Sequence, residues 1–201
     1  MNQKILKIES DWQLMVQGDK MAFYRFYKLH VQHLLNYGLR LYGSLFVVED
    51  LIQELFLEIW ERRETLAEPD SERFYLLRAL RNKINRQFRI DQRFIAADDM
   101  LNEPRFSMEP SSEQRWIELD IAQEQKEKIE AAIRSLSPRQ REIVYLRYFN
   151  DLSYYQICEI TGLTYQSARS QLYQSLKVLR TVLDQSSFLM LFLLLKESNT
   201  M

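Results

Sequence analysis

The sequence predicts an all-α protein of two small helical domains joined by an acidic linker, and three observations carry that expectation. Among 201 residues only four are glycine and four proline, against eleven Phe and eleven Tyr, a balance that favours helices and leaves few hairpin turns. Apolar residues recur at intervals of three and four, the period of a helix with one buried face. Charge is unevenly spread: residues 1–95 carry a net +2, residues 96–132 a net −6 and residues 133–182 a net +4. The formal total of −1 therefore hides two mildly basic blocks around an acidic connector.

Hydrophobic residues at 46% and charged residues at 27% match ordinary soluble domains, with enough chain to bury a proper core. Cys158 is the only cysteine, so no internal disulfide is expected. Lys4 and Lys7 lead into mixed polar sequence rather than a signal-peptide pattern, and the longest apolar run, Phe188 to Leu195, falls far short of the ~20 residues that cross a bilayer. A cytoplasmic protein is the expectation.

The first helical pattern runs from Trp12 to about Leu41, with Phe23, Phe26, Tyr27, Val31, Leu34 and Leu35 on one face, and Gly38 and Gly43 mark a bend or helix end. Val48 to Trp60 is strongly amphipathic: Leu51, Ile52, Leu55, Phe56, Ile59 and Trp60 form one stripe, and Asp50, Glu54, Glu58 and Glu61 line the other side. Residues 62–71, broken by Pro69, read as a loop. The next helix, from about Glu72 to Arg89, sets Phe74, Leu77, Leu80, Ile84 and Phe88 opposite basic residues. From Arg73 to Arg93 seven cations face the single acid Asp91, a stripe suited to a phosphate backbone.

Residues 96–115 hold Asp98, Asp99, Pro104, Pro110, Ser111 and Ser112 with little periodicity, and the domain boundary is placed there. Helicity resumes at about Ile117. Ser137, Pro138 and Gln140 supply an N-cap, a first-turn proline and a capping-box partner, and Ser153 with Gln156 repeats the box. That short helix stops at Gly162, and a long one runs from about Tyr165 to Leu183. Its inward residues are Ala168, Leu172, Leu176, Leu179 and Leu183; Gln166, Arg169, Ser170, Tyr173, Lys177 and Arg180 face outward. This is the helix-turn-helix plan, whose second helix enters the DNA major groove, although an ordinary helical hairpin shares the periodicity.

Enzyme chemistry finds no support. Asp50, Glu54, Glu58 and Glu61 sit at helical spacing on one charged face, which suits a solvated or partner-binding stripe rather than a paired-carboxylate site. His30 and His33 are one turn apart without a neighbouring ligand cluster, so no metal is expected, and four scattered glycines make no phosphate loop. No catalytic residue, cofactor or small-molecule substrate is predicted. Cys158 reads as a small core residue rather than a reactive thiol.

Leu136-Ser137-Pro138-Arg139-Gln140-Arg141-Glu142, followed by Leu146-Arg147-Tyr148-Phe149, Leu152-Ser153-Tyr154 and Ile157, resembles the C-terminal promoter-binding region of bacterial sigma factors. Glu49 to Trp60 is similar to the region that holds the RNA polymerase clamp, and Tyr75-Leu76-Leu77-Arg78, Arg81-Asn82 and Arg89 match the adjoining promoter-melting segment. The resemblance covers roughly residues 10–182 and is to the short extracytoplasmic-function group of the sigma-70 family. It implies a clamp- and minus-ten-binding domain over 1–95, a linker and helix start over 96–128, a minus-thirty-five-binding domain over 129–183, and leaves the apolar tail 184–201 unexplained.

By the same resemblance Asp50, Gln53 and Glu54 face core RNA polymerase. Arg78, Arg81, Asn82, Arg86 and Arg89 face the minus-ten element, and Gln166, Arg169, Ser170, Tyr173, Lys177 and Arg180 the minus-thirty-five element. An anti-sigma factor is a further expected partner. Two positions depart from the pattern: Arg86 stands where members commonly have Asp, and Gln174-Ser175 where they often have Arg-Ala. The alternative is a helix-turn-helix regulator with an N-terminal sensing or dimerisation domain. For the tail, packing on the protein as an extension of the last helix, or cover by a partner, is expected.

Overall fold

The computed structural model describes residues 10–94, 106–107 and 123–197, and regular structure among them is helical throughout. The chain divides into two compact units, Met1–Leu39 with Ser44–Phe94, and Arg40–Gly43 with Ile95–Met201. Most of the acidic linker, and the helix restart expected at Ile117, lie outside the described residues. At residue 106 the connector carries a buried ring, with Phe106 against Tyr145 at 5.3 Å between centroids.

The first unit begins with α1 (Asp11–Val16), where Ser10 and Gln13 form a capping box. The pattern read as one helix from Trp12 is interrupted at Gly18, whose φ of +95° is a conformation glycine adopts without strain. Helix α2 (Lys20–Tyr42) follows, then α3 (Leu45–Arg62), a 3-10 turn (Arg63–Thr65) and α4 (Glu72–Phe94). Gly43, with φ +85°, ends α2 as expected, but Gly38 does not bend it. A Cβ there would stand 2.5 Å from Val48 Cγ1, so the glycine is needed for close approach to α3.

The core of this unit is aromatic at one end. Trp12 meets Phe26 edge-on at 5.4 Å and Tyr75 at 5.8 Å, and Phe26 meets Phe56 at 5.9 Å. Leu51, Ile52, Leu55 and Ile59 of α3 face Leu76, Leu77, Leu80 and Ile84 of α4 across the rest, all buried. Each such side chain contributes about 1.5–3 kcal/mol by leaving water, which fixes the faces that α3 and α4 leave outside.

The second unit holds α5 (Gln123–Arg134), α6 (Pro138–Tyr148), α7 (Tyr154–Thr161), α8 (Tyr165–Val182) and α9 (Gln185–Glu197). Ser137 and Ser153 both make complete capping boxes with Gln140 and Gln156, and Pro138 opens α6. Gly162 ends α7 in the left-handed region at φ +72°, its N–H donating to the Cys158 carbonyl at 2.8 Å. Thr164 then caps α8. Helix α8 packs on α5, α6 and α7, burying Ala168, Leu172, Leu179 and Leu183, while Leu176 is half-buried and Ser175 takes the fully buried place beside it.

The apolar tail packs on its own protein, but as a separate helix rather than an extension of α8. The backbone turns extended at Leu183, and Asp184 caps α9 by accepting from the Ser187 N–H at 2.8 Å and the Ser186 hydroxyl at 2.7 Å. The backbone N–H of Ser187 and the two serine side chains hold the Asp184 carboxyl down to about 2. A depressed carboxylate supports the fold above the usual aspartate range, so this cap is intact at neutral pH and is lost as pH falls through about 2.

Helix α9 lies against α5, α6 and α8 with Leu191 buried and Leu189 exposed. Leu191→Ala is expected to destabilise the C-terminal unit by about 2–5 kcal/mol in chemical unfolding, and Leu189→Ala by roughly 0.5 kcal/mol or less. Equal effects would show that α9 does not dock by this face.

Candidate nucleic-acid interface

Burial of one side of α3 turns Asp50, Gln53 and Glu54 outward, and all three are exposed. Glu54 is engaged from within the unit: Lys83 of α4 donates to Glu54 Oε2 and to Glu58 Oε1, each at 2.8 Å. Burial works against the Lys83 charge, but its bonds to Glu54 and Glu58 outweigh that and raise its pKa above the usual lysine value. Two apolar residues missed by the sequence reading share this side. Phe46 (81% exposed) and Leu57 (59% exposed) bracket Asp50 and Gln53 at spacings of four, three and four, one stripe of a helix. That spacing was the available signal.

On α4 the exposed residues Arg78, Asn82, Arg86 and Arg89 recur at four, four and three, forming one polar stripe. Arg81 does not join them. It is buried at 4% exposure and donates to the Tyr37 hydroxyl at 3.3 Å, so the expectation that it faces DNA is corrected: it is an internal strut between α4 and α2.

Beside the stripe a cavity of about 300 Å³ opens between α3, the following loop and α4, lined by Arg62, Leu66, Tyr75, Asn82, Lys83 and Arg86 among others. Burial raises the Tyr75 pKa, keeping its hydroxyl protonated. The loop that forms one wall is tied down: Glu68 accepts from Ser10 Oγ at 3.1 Å and Gln13 Nε2 at 2.8 Å. Arg63 stacks on Trp60 at 4.6 Å while donating to its carbonyl at 2.8 Å. Aromatic, amide and guanidinium groups around a volume of this size suit a planar polar ligand such as a single nucleobase.

His30 Nε2 lies 3.0 Å from Glu72 Oε2 at the start of α4. His33 has a lowered pKa, from burial first and then from Arg73 and His30. Among the described residues no group of three His, Cys, Asp or Glu is placed to hold a metal ion.

In the second unit α7, the Gly162 turn and α8 make the helix-turn-helix, and Gln166, Arg169, Ser170, Tyr173, Lys177 and Arg180 are all exposed on α8. Tyr173 is 70% exposed, its ring turned away from the core. Arg180 stacks over Phe188 of α9 at 5.4 Å, which leaves the guanidinium edge available to a phosphate. Tyr155 and Tyr165, exposed and in tilted contact at 5.2 Å at the starts of α7 and α8, add an aromatic pair to the same motif.

The basic balance of this block is only partly directed outward. Arg139 donates to the Thr161 carbonyl, Arg141 to Leu136 and Arg147 to Leu152, so three of its arginines stitch α6 to the neighbouring helix ends. At the departure from the family pattern, Gln174 is exposed and Ser175 is buried, its hydroxyl donating to the Gln171 carbonyl at 2.7 Å. Cys158 is half-buried, and burial pushes its thiol pKa up, the reverse of activation.

A basic stripe beside a base-sized cavity on one helical unit, and a helix-turn-helix on the other, define a DNA-binding protein with two recognition modules. The family model for Sigma-70 region 2 matches residues 26–94, and that for Sigma-70, region 4 matches residues 126–179. The chain belongs to the sigma-70 family, whose members bind core RNA polymerase and direct promoter-specific transcription initiation.

Solved structures agree in fold. The sigma factor RpoE in complex with the anti-sigma factor NepR, from Bartonella quintana, is 20% identical, with a TM-score of 0.56 over 80% of this chain and 95% of that one. CnrH in complex with the cytosolic domain of CnrY is 15% identical, with a TM-score of 0.52 over 86% and 94%. No curated protein sequence matches significantly. Among the described residues no helix is long and apolar enough to cross a membrane.

Proposed function

We propose a division of labour for this initiation factor that follows its exposed faces. The α3 face of Phe46, Asp50, Gln53, Glu54 and Leu57 takes a basic surface of the polymerase clamp, with the two apolar side chains supplying contact area and the polar ones register. Arg78, Asn82, Arg86 and Arg89 hold the phosphates of the minus-ten element. The adjoining cavity takes one unstacked base, with Tyr75 as a stacking wall and the Asn82 amide at a base edge. Helix α8 reads the minus-thirty-five element through Gln166, Arg169, Ser170 and Tyr173, and Lys177 and Arg180 meet its phosphates.

These roles assign residues 1–95 to the clamp and minus-ten element, 96–128 to a connector and 129–183 to the minus-thirty-five element. The protein acts in the cytoplasm, performs no covalent chemistry itself, and offers the exposed α3 face to an anti-sigma factor as a competing ligand.

The observation that carries this reading is the outward presentation of all six predicted α8 residues on a capped helix-turn-helix. Run-off transcription with purified core polymerase on a randomised promoter library tests it. The expected result is a selected pair of upstream motifs whose transcription depends on this chain. Tight operator binding by the chain alone, with no stimulation of polymerase, would instead establish a regulator.

A further inference from the structure

We propose that Lys83 is a further DNA-contacting residue held in reserve: Glu54 and Glu58 occupy it in the free protein, and release it toward the minus-ten strand when polymerase takes Glu54. This rests on the assignment of α3 to polymerase and of α4 to DNA.

The geometry places one ammonium between the two surfaces. Lys83 Nζ is 2.8 Å from both Glu54 Oε2 and Glu58 Oε1, and its own side chain is only 15% exposed. The carboxylates are 59% and 50% exposed, so a basic partner reaches them without first displacing the lysine. Lys83 and its partner Glu58 both line the same cavity as Asn82 and Arg86.

One cation shared by two carboxylates makes a cluster of net −1, which offsets part of the positive charge that Arg62 and Arg86 bring to the cavity and weakens its attraction for an incoming phosphate. When a clamp cation pairs with Glu54, that offset falls and one of the two tethers on Lys83 is lost. Partly exposed ion pairs of this kind are weak, so the exchange needs no large driving force. A lysine suits it: a flexible four-carbon stem carries three donors that can turn from carboxylate to phosphate, where a planar guanidinium would hold one geometry. Linkage makes the effect reciprocal, so DNA that captures Lys83 strengthens polymerase binding by the same factor.

The test uses the full chain without polymerase and a mixed-sequence single-stranded DNA of about 20 nucleotides. Glu54→Gln with Glu58→Gln is expected to raise affinity roughly threefold to fivefold and to steepen the salt dependence by about one charge. Adding Lys83→Gln to that pair should abolish the gain, and adding Lys83→Arg should retain part of it. In the complete polymerase complex, Lys83→Gln alone should lower the salt slope of promoter binding by about one. A gain that survives Lys83→Gln comes from charge removal only and overturns the proposal, as does an unchanged slope in the complex. Arg89→Ala serves as the control for the underlying reading. If it weakens DNA binding while the Lys83 set does nothing, only the proposal fails; if it too has no effect, α4 is not a DNA surface and both fall. Thermal unfolding of each variant confirms that the comparison is among folded chains.

Discussion

Asp50→Lys combined with Gln53→Lys is expected to weaken binding to core RNA polymerase by about a hundredfold or more while leaving the melting temperature nearly unchanged. Both side chains are exposed on α3 and neither packs in the core, so the fold has little to lose. Against a basic clamp surface the substitution removes one attraction and adds two repulsions at the centre of the stripe bounded by Phe46 and Leu57. Glu54 is left intact because reversing it would also break its bond to Lys83 and confound binding with local rearrangement. Phe46→Ala should act in the same direction by roughly tenfold, since a large exposed ring is the kind of side chain that anchors an interface. Titration of a fluorescently labelled chain with core enzyme measures both. Undiminished binding by the folded double variant would remove α3 from the polymerase interface.

Arg169→Ala is expected to relax the minus-thirty-five motif, and Lys177→Ala to weaken all promoters about equally. Arg169 stands near the start of α8, where a recognition helix meets base edges, and a guanidinium binds guanine through two parallel bonds worth ~1–3 kcal/mol of discrimination. Two turns farther along, Lys177 is the proposed backbone contact, so its loss should reduce the salt slope by about one without altering the selected sequence. Selection from a randomised library with the complete enzyme separates the two. An unchanged upstream motif with Arg169→Ala would show that α8 does not read sequence through this residue.

What the sequence made legible was local. The boxes at Ser137 and Ser153 and the stop at Gly162 depend on residues three or four apart, and each forms as expected. The polar face of α8 follows from the helical period alone. What escaped it depends on partners far away in the chain. Arg81 reads as one more cation in a basic run because its partner Tyr37 lies 44 residues back. Lys83 reads the same way because Glu54 and Glu58 lie 29 and 25 residues away. Gly38 reads as a bend or helix end because only the α2–α3 approach shows why a glycine is required. The separate α9 was hidden by the apolar run, whose hydropathy obscures the turn that Asp184 makes at its start.

The three α6 arginines spent on backbone carbonyls limit the charge that the C-terminal unit can set against DNA. With Arg139, Arg141 and Arg147 committed inside the unit, Arg169, Lys177 and Arg180 are the cations that α8 can set against DNA. With Lys177 and Arg180 as its proposed phosphate contacts, α8 alone would release about two counterions, too few to hold the C-terminal unit on bulk DNA at cellular salt without the contacts of the first unit. On that assignment unassembled copies gain little nonspecific hold on DNA from α8, and its promoter contacts count mainly once polymerase is bound. The number of unassembled copies then sets, by mass action, how large a share of the polymerase pool they claim from competing initiation factors.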